Sequence, residues 1–365
     1  MTWLALTDHT DRRLSLRGLG HEKRATPILA DVTGQTLTRG SIMFETEVAE
    51  DSKPQVLFGY TNPHPSHRSL VFQAIPGGGV AMVHVQGDKI AHAAIAHKNA
   101  GRAEVLRLTY AWDTTYNWGR LTLEQAGEAT VTSVAVDNPL PLTLEDLRDL
   151  MLGRSSNTYA PDMIFAALSD QIEPIGVSPT LSPDTPVATP WGYRTISTLK
   201  RGDTVYTADG DVVPVLQTVT RTVPARGSFA PIRMRAPYFG LQDDIIIAPE
   251  QHVVIDGPEV EYLFSCEKVL TPARNLVNGF AARSEPYGPL VTYTQLILPN
   301  HEPVLAGGAP LESMYIGRIR RDTHQLASSV MFGVDRNDLP EHKATSYKVL
   351  KWYEAIHLAK RRAAA

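Results

Sequence analysis

The chain has a single cysteine, Cys266, among 365 residues. An internal disulfide is therefore excluded, and stability has to come from packing. Cys266 sits in "LFSCEKV", with no basic cluster beside it, and reads as a small hydrophobe in a strand. Charge of one sign is also missing. Thirty-five Lys and Arg stand against 39 Asp and Glu, a net charge of −4, with no long basic run before the C-terminus. That removes the case for a nucleic-acid partner. No stretch approaches the roughly 18 apolar residues of a transmembrane segment. The opening "MTWLALTDHTDRRLSLRG" lacks the apolar core of a signal peptide. Residence is expected in the cytoplasm, or outside by a route without an N-terminal signal peptide. No internal repeat and no low-complexity tract stands out.

What is present suits two globular parts. Apolar residues make up 43% of the chain, enough for real cores. From about residue 38 to 136, short apolar runs alternate with turn signals. "SLVFQAIPGGGVAMVHVQGDKIAHAAIAH" reads as three strands, broken at Pro76–Gly79 and at Gly87-Asp88. "AEVLRLTYAWD", "WGRLTLEQAG" and "ATVTSVAVD" follow as further strands. Many short strands with few helices predict an antiparallel β-sandwich, concanavalin-like in general style. Trp112, Tyr116 and Trp118 cluster in sequence, either as core or as a platform for a carbohydrate or protein ligand. His64 and His67 in "NPHPSH" lack a neighbouring carboxylate cluster, so no metal site is read there. No cofactor motif is read elsewhere.

The rhythm changes at "NPLPLTLEDLRDLMLG". Thr143 lies three residues before Asp146 at capping-box spacing, Leu144, Leu147, Leu150 and Met151 fall at helical intervals, and Gly153 can end the helix. "DMIFAALSD" then reads as a strand, and the proline-bearing "QIEPIGVSPTLSPDTP" as a linker. The expected division is 1–177 for the sandwich with its linker helix, 178–318 for a second all-β domain, and 319–365 for a helical tail.

The second part opens with "TLSPDTPVATPWGYRTISTLKRGDTVYTADG", Thr180 to Gly210. "VAT" and "TVYTA" are β-branched strand runs, and "PWG" and "ADG" are turns. Thr185, Val187, Thr189 and Gly192, then Leu199, Gly202, Asp203 and Val205, match a recurring pattern. "DIIIAPEQHVVI" adds a buried strand followed by His252. "VLTPARNLVNG" supplies Pro272, Ala273, Arg274 and Leu276. "LILPNHEPVLAGGAPLESMYIG" supplies His301, Glu302, Gly308, Ala309, Glu312 and Ser313. In this order the four blocks resemble the Hint domain, the module shared by inteins and Hedgehog proteins, in a bacterial subgroup.

The resemblance implies chemistry on the chain's own backbone. The first residue attacks the carbonyl before it, and a histidine in a Thr-x-x-His signature protonates the leaving nitrogen. Carried over, the candidate catalytic residues are Thr180 as nucleophile, His252 as proton donor and His301. The chain departs from the pattern at each point. Thr180 is a hydroxyl where a thiol is usual, and an unassisted hydroxyl is a poor nucleophile. Pro179 before it has a locked φ. The threonine of Thr-x-x-His is missing, since Pro249 holds its place by strict count and Ala248 holds it if one residue is inserted. No terminal Asn junction for splicing is present. The expectation is at most single-turnover cleavage at Pro179–Thr180, weak or lost, with the chain's own polypeptide as substrate. Ordinary structural roles remain open for all three residues, His301 as an ion-paired surface imidazole beside Glu302. The alternative function is a non-catalytic binding or structural protein whose sandwich recognises a carbohydrate or protein ligand. In the tail, Val349, Trp352, Tyr353, Ile356 and Ala359 or Lys360 follow three-four spacing and predict a helix with a basic end, expected to dock on the second domain, the alternative being a membrane-surface or partner helix.

Overall fold

The alternation read between residues 38 and 136 becomes two antiparallel sheets. The computed structural model describes residues 3–20, 34–48, 54–63, 67–76, 78–97, 104–125, 130–154 and 157–364. It divides into two units, Met1–Gly176 and Val177–Ala365.

In the first unit, one sheet has seven strands in the order Val131–Ala135, Trp118–Gln125, Glu104–Asp113, Arg39–Val48, Met163–Ser169, Trp3–Thr7 and Arg12–Leu14. The second sheet orders Asn157–Tyr159, Gln55–Asn62, Arg68–Ala74, Val80–Gln86 and Lys89–Ile95. The last three are the strands expected on either side of the glycine breaks. Ile42, Phe44, Leu108 and Tyr110 from one sheet share a core with Phe58, Leu70, Phe72 and Met82 from the other. Phe44 meets Phe72 edge-on, with ring centroids 5.0 Å apart. This is the face-to-face packing of a β-sandwich.

The aromatic cluster of the sequence is split. Trp112 is fully buried and its indole N–H donates to the Leu37 carbonyl at 3.0 Å. Tyr116 and Trp118 are exposed at the next turn. His67 is exposed, and His64 lies outside the described residues.

The first helix, α1 (Leu144–Leu152), starts and stops as its caps dictate. The Thr143 side chain accepts from the Asp146 N–H, and Gly153 closes the helix in the left-handed conformation at φ 68°. Asp146 is buried. It accepts from Arg68 Nε at 2.7 Å, from Asn62 Nδ2 at 2.6 Å and from Thr143 Oγ1 at 2.6 Å. His84 is buried on the inner face of the second sheet, and neither ring nitrogen has a hydrogen-bond partner among the described residues. Burial pushes its pKa down to about 4, with Asp146 pulling weakly the other way.

The second unit is built on a seven-stranded sheet ordered Gly192–Thr195, Pro186–Thr189, Pro303–Ala306, Ala309–Glu312, His252–Asp256, Lys268–Pro272 and Lys348–Val349. A long pair, Gln217–Pro224 with Leu290–Ile297, a short pair, Thr204–Tyr206 with Val212–Pro214, and a three-stranded sheet through Ile245–Ile247 complete it. One helix, α2 (Pro258–Phe264), has no counterpart in the sequence reading. Its signal was the Gly-Pro start, with Gly257 at φ 118° and Pro258 in the first turn. Cys266 lies in the bend after α2, half-buried, and not in a strand as its sequence context suggested. A short helix, α3 (Thr323–Ser328), is capped by the Asp322 carboxylate.

The tail ends in α4 (Trp352–Ala364). The stripe expected to dock faces outward: Trp352, Tyr353 and Ile356 are exposed. Ala355 and Leu358, with Leu350, enter the core. α4 packs beside α2 and the turn Ala273–Leu276. Among the described residues, no helix is long and apolar enough to cross a membrane.

Candidate functional site

Backbone pairing fixes Thr180 where three segments meet. Its neighbour Leu181 bridges to both Ile247 and Thr294, and its carbonyl accepts from the Ala248 N–H at 2.7 Å. The Thr180 hydroxyl donates to Gln251 Oε1 at 2.5 Å. It accepts from Gln295 Nε2 at 3.0 Å. Gln251 is held in that orientation because its Nε2 donates to two carbonyls, of His252 at 2.7 Å and Glu312 at 3.1 Å. Gln295 Nε2 also reaches Gln251 Oε1 at 2.9 Å and the Glu312 carbonyl at 3.0 Å. Both glutamines are buried.

Glu312 links this amide cluster to an imidazole cluster. It ends the strand Ala309–Glu312, which follows a two-residue turn at Gly307 and Gly308. Both glycines have positive φ, 61° and 91°, a conformation that other residues resist. A Cβ on Gly308 would also lie 2.7 Å from Gln242 Cγ. The hairpin sets Leu311 opposite Val253, and so brings Glu312 beside the start of the strand that His252 opens. The Glu312 carboxylate bonds His252 Nδ1 through Oε2. Its Oε1 lies 3.3 Å from His301 Nε2.

His301 is buried, not at the surface, and its acidic neighbour is Glu312 rather than Glu302. Its Nε2 is 3.2 Å from the Ser313 carbonyl, so that nitrogen carries the proton, and the buried Nδ1 has no hydrogen-bond partner among the described residues. Burial holds the imidazole below its ordinary pKa, with Glu312 opposing. His342 packs against it with ring centroids 5.5 Å apart. It accepts from the Ile316 N–H at 3.3 Å, and its Nε2 lies 3.1 Å from the Leu298 carbonyl. Burial lowers its pKa too.

A match to the family model of the Hint domain covers residues 179–318. Residues 179–318 form a Hint domain. Its first matched residues are Pro179 and Thr180, so the hydroxyl held by the two glutamines lies at the start of the module. The structure unites Thr180 with Gln251 and Gln295, and His252 with His301 through Glu312. Thr180 and His252 do not hydrogen-bond. Sequence reasoning missed Gln251, Gln295 and His342 altogether, and took Glu312 only as part of a motif. The available signal was polarity in apolar surroundings, as at Gln295 in "VTYTQLIL". Nothing in the sequence around His342 marks it.

Among solved structures, the MchDnaB-1 intein matches at 18% identity over 36% of this chain and 98% of that chain, with a TM-score of 0.25. The Msm DnaB1 intein splicing domain bound with zinc matches at 20% identity, over 36% of this chain and 97% of that one, with a TM-score of 0.25. The CBM40 of a Ruminococcus gnavus IT-sialidase bound to α2,6-sialyllactose matches at 13% identity, over 37% of this chain and 77% of that one, with a TM-score of 0.24. No curated protein matches the chain. Among the described residues, no group of three or more His, Cys, Asp or Glu side chains is arranged to hold a metal ion.

Proposed function

We propose that this protein carries a Hint domain that does not cleave itself, acting as a structural module in a chain whose β-sandwich does the recognising. The observation that supports this reading is the 2.5 Å hydrogen bond from Thr180 Oγ1 to Gln251 Oε1. Nucleophilic attack by a hydroxyl needs a group that takes its proton. An amide oxygen accepts a hydrogen bond but is far too weakly basic to accept the proton. The second contact, donated by Gln295 Nε2, draws electron density from the hydroxyl oxygen. Pro179 restricts how the carbonyl is presented. For the sandwich, the exposed Tyr116 and Trp118 support recognition of a carbohydrate or protein ligand, since amphipathic rings at a surface favour such contacts.

Intact-mass measurement of the purified protein at neutral pH tests the first part. Hydroxylamine traps any ester formed at Thr180 by converting it to a hydroxamate of residues 1–179 and the free Thr180 hydroxyl. Only the full-length mass is expected, with and without hydroxylamine, over a day. Fragments 1–179 and 180–365 would overturn the reading.

A further inference from the structure

In the Thr-x-x-His signature the proton donor stands three residues after the threonine place. Counting back from His252 gives Pro249 for that place. The structure gives a different register. Ala248 is the residue whose N–H bonds the Thr180 carbonyl, at 2.7 Å. Three residues on from Ala248 is Gln251, whose side chain contacts the Thr180 hydroxyl. His252 instead turns its Nδ1 to the Glu312 carboxylate.

We propose that Gln251, and not His252, occupies the proton-donor position of the self-cleavage site, and that the site is silent because it lacks two groups, a thiol at position 180 and an imidazole at position 251. The proposal rests on the reading of the domain as non-cleaving. Glutamine carries no proton it can give up near neutral pH, whereas imidazole does. The Glu312 carbonyl accepts from Gln251 Nε2 at 3.1 Å and would accept an imidazole N–H in its place. That bond would leave the other ring nitrogen toward position 180.

The reaction that the restored site would carry is balanced within the chain. The sulfur at 180 attacks the Pro179 carbonyl carbon, and the C–N bond to residue 180 breaks. The proton lost by sulfur passes through the imidazole to the departing nitrogen, leaving a thioester and a free amine. Added dithiothreitol then displaces residues 1–179 by attack on the thioester.

The test compares full-length wild type, T180C, Q251H, T180C/Q251H and the triple variant T180C/Q251H/H252A by mass after incubation with dithiothreitol. General acid catalysis is worth about a hundredfold or more, so the double variant should cleave about a hundredfold faster than T180C. The triple variant should match the double within about twofold. Far-ultraviolet circular dichroism confirms that each variant is folded. T180S/Q251H carries the same prediction through its ester, read with hydroxylamine, should the larger sulfur perturb the fold. A folded double variant that stays intact overturns the proposal. So does a triple variant that loses the cleavage, since that makes His252 the donor. Wild-type cleavage is a separate result, and strikes the reading of the domain as silent.

Discussion

Replacing Asp146 by alanine lowers the stability of the N-terminal unit by about 3–5 kcal/mol, the cost of removing one partner from a buried ion pair. The carboxylate is almost wholly buried and accepts from Arg68, Asn62 and Thr143 at once. Without it, the Arg68 guanidinium loses its partner while its side chain is only 19% exposed. Asp146→Asn keeps the size and part of the bonding, so its cost is smaller. Glu145→Ala, one residue away and half-buried, is expected to cost under about 0.5 kcal/mol. Urea unfolding followed by tryptophan fluorescence reads this unit, because Trp3 and Trp112 are buried here while Trp191 and Trp352 are exposed. An Asp146→Ala midpoint equal to that of wild type would show that the pair contributes nothing.

Acid weakens the same unit through His84. Its pKa is about 4 when folded and near 6.5 when unfolded. Between those values the unfolded chain binds more protons, so stability rises with pH and is lost as pH falls from about 6.5 to about 4. A gap of that size corresponds to about 3 kcal/mol. His301 and His342 are shifted in the same direction in the Hint unit, so acid weakens both parts. His84→Leu removes the titrating ring from the sandwich. Its fluorescence-detected urea midpoint should change less than the wild-type midpoint between pH 7 and pH 4.5. Parallel pH dependence in the two proteins would remove His84 from the explanation.

The features legible in the sequence were those whose cause is local. Thr143 and Gly153 cap one helix from either end and Asp146 lies in its first turn, so their spacing alone announces α1. The glycine breaks of the second sheet and the strand Ile245–Ile247 are local in the same sense. The four ordered blocks carried the Hint domain. The site was less legible because its contacts join distant segments. Thr180 meets Gln251 and Gln295, 71 and 115 residues away. His301 sits next to Glu302 in sequence, but the Gly307–Gly308 turn folds the chain back and offers it Glu312. The docking face of α4 failed for another reason. Hydrophobicity favoured Trp352 and Tyr353, while Ala355 and Leu358 are the residues that reach the core.

The tail has a consequence for how the protein can be taken apart and recombined. The Leu350 N–H donates to the Leu270 carbonyl at 2.8 Å, and Lys348–Val349 runs parallel to the strand that contains Leu270. His342 binds main-chain groups of Ile316 and Leu298. A gene fragment that stopped at residue 318 would strip a sheet edge, the interior residues Leu350, Ala355 and Leu358, and a buried imidazole from the module it meant to isolate. The portable cassette therefore runs from Val177 to the end of α4, and chimaeras that transplant less of it should emerge as insoluble product.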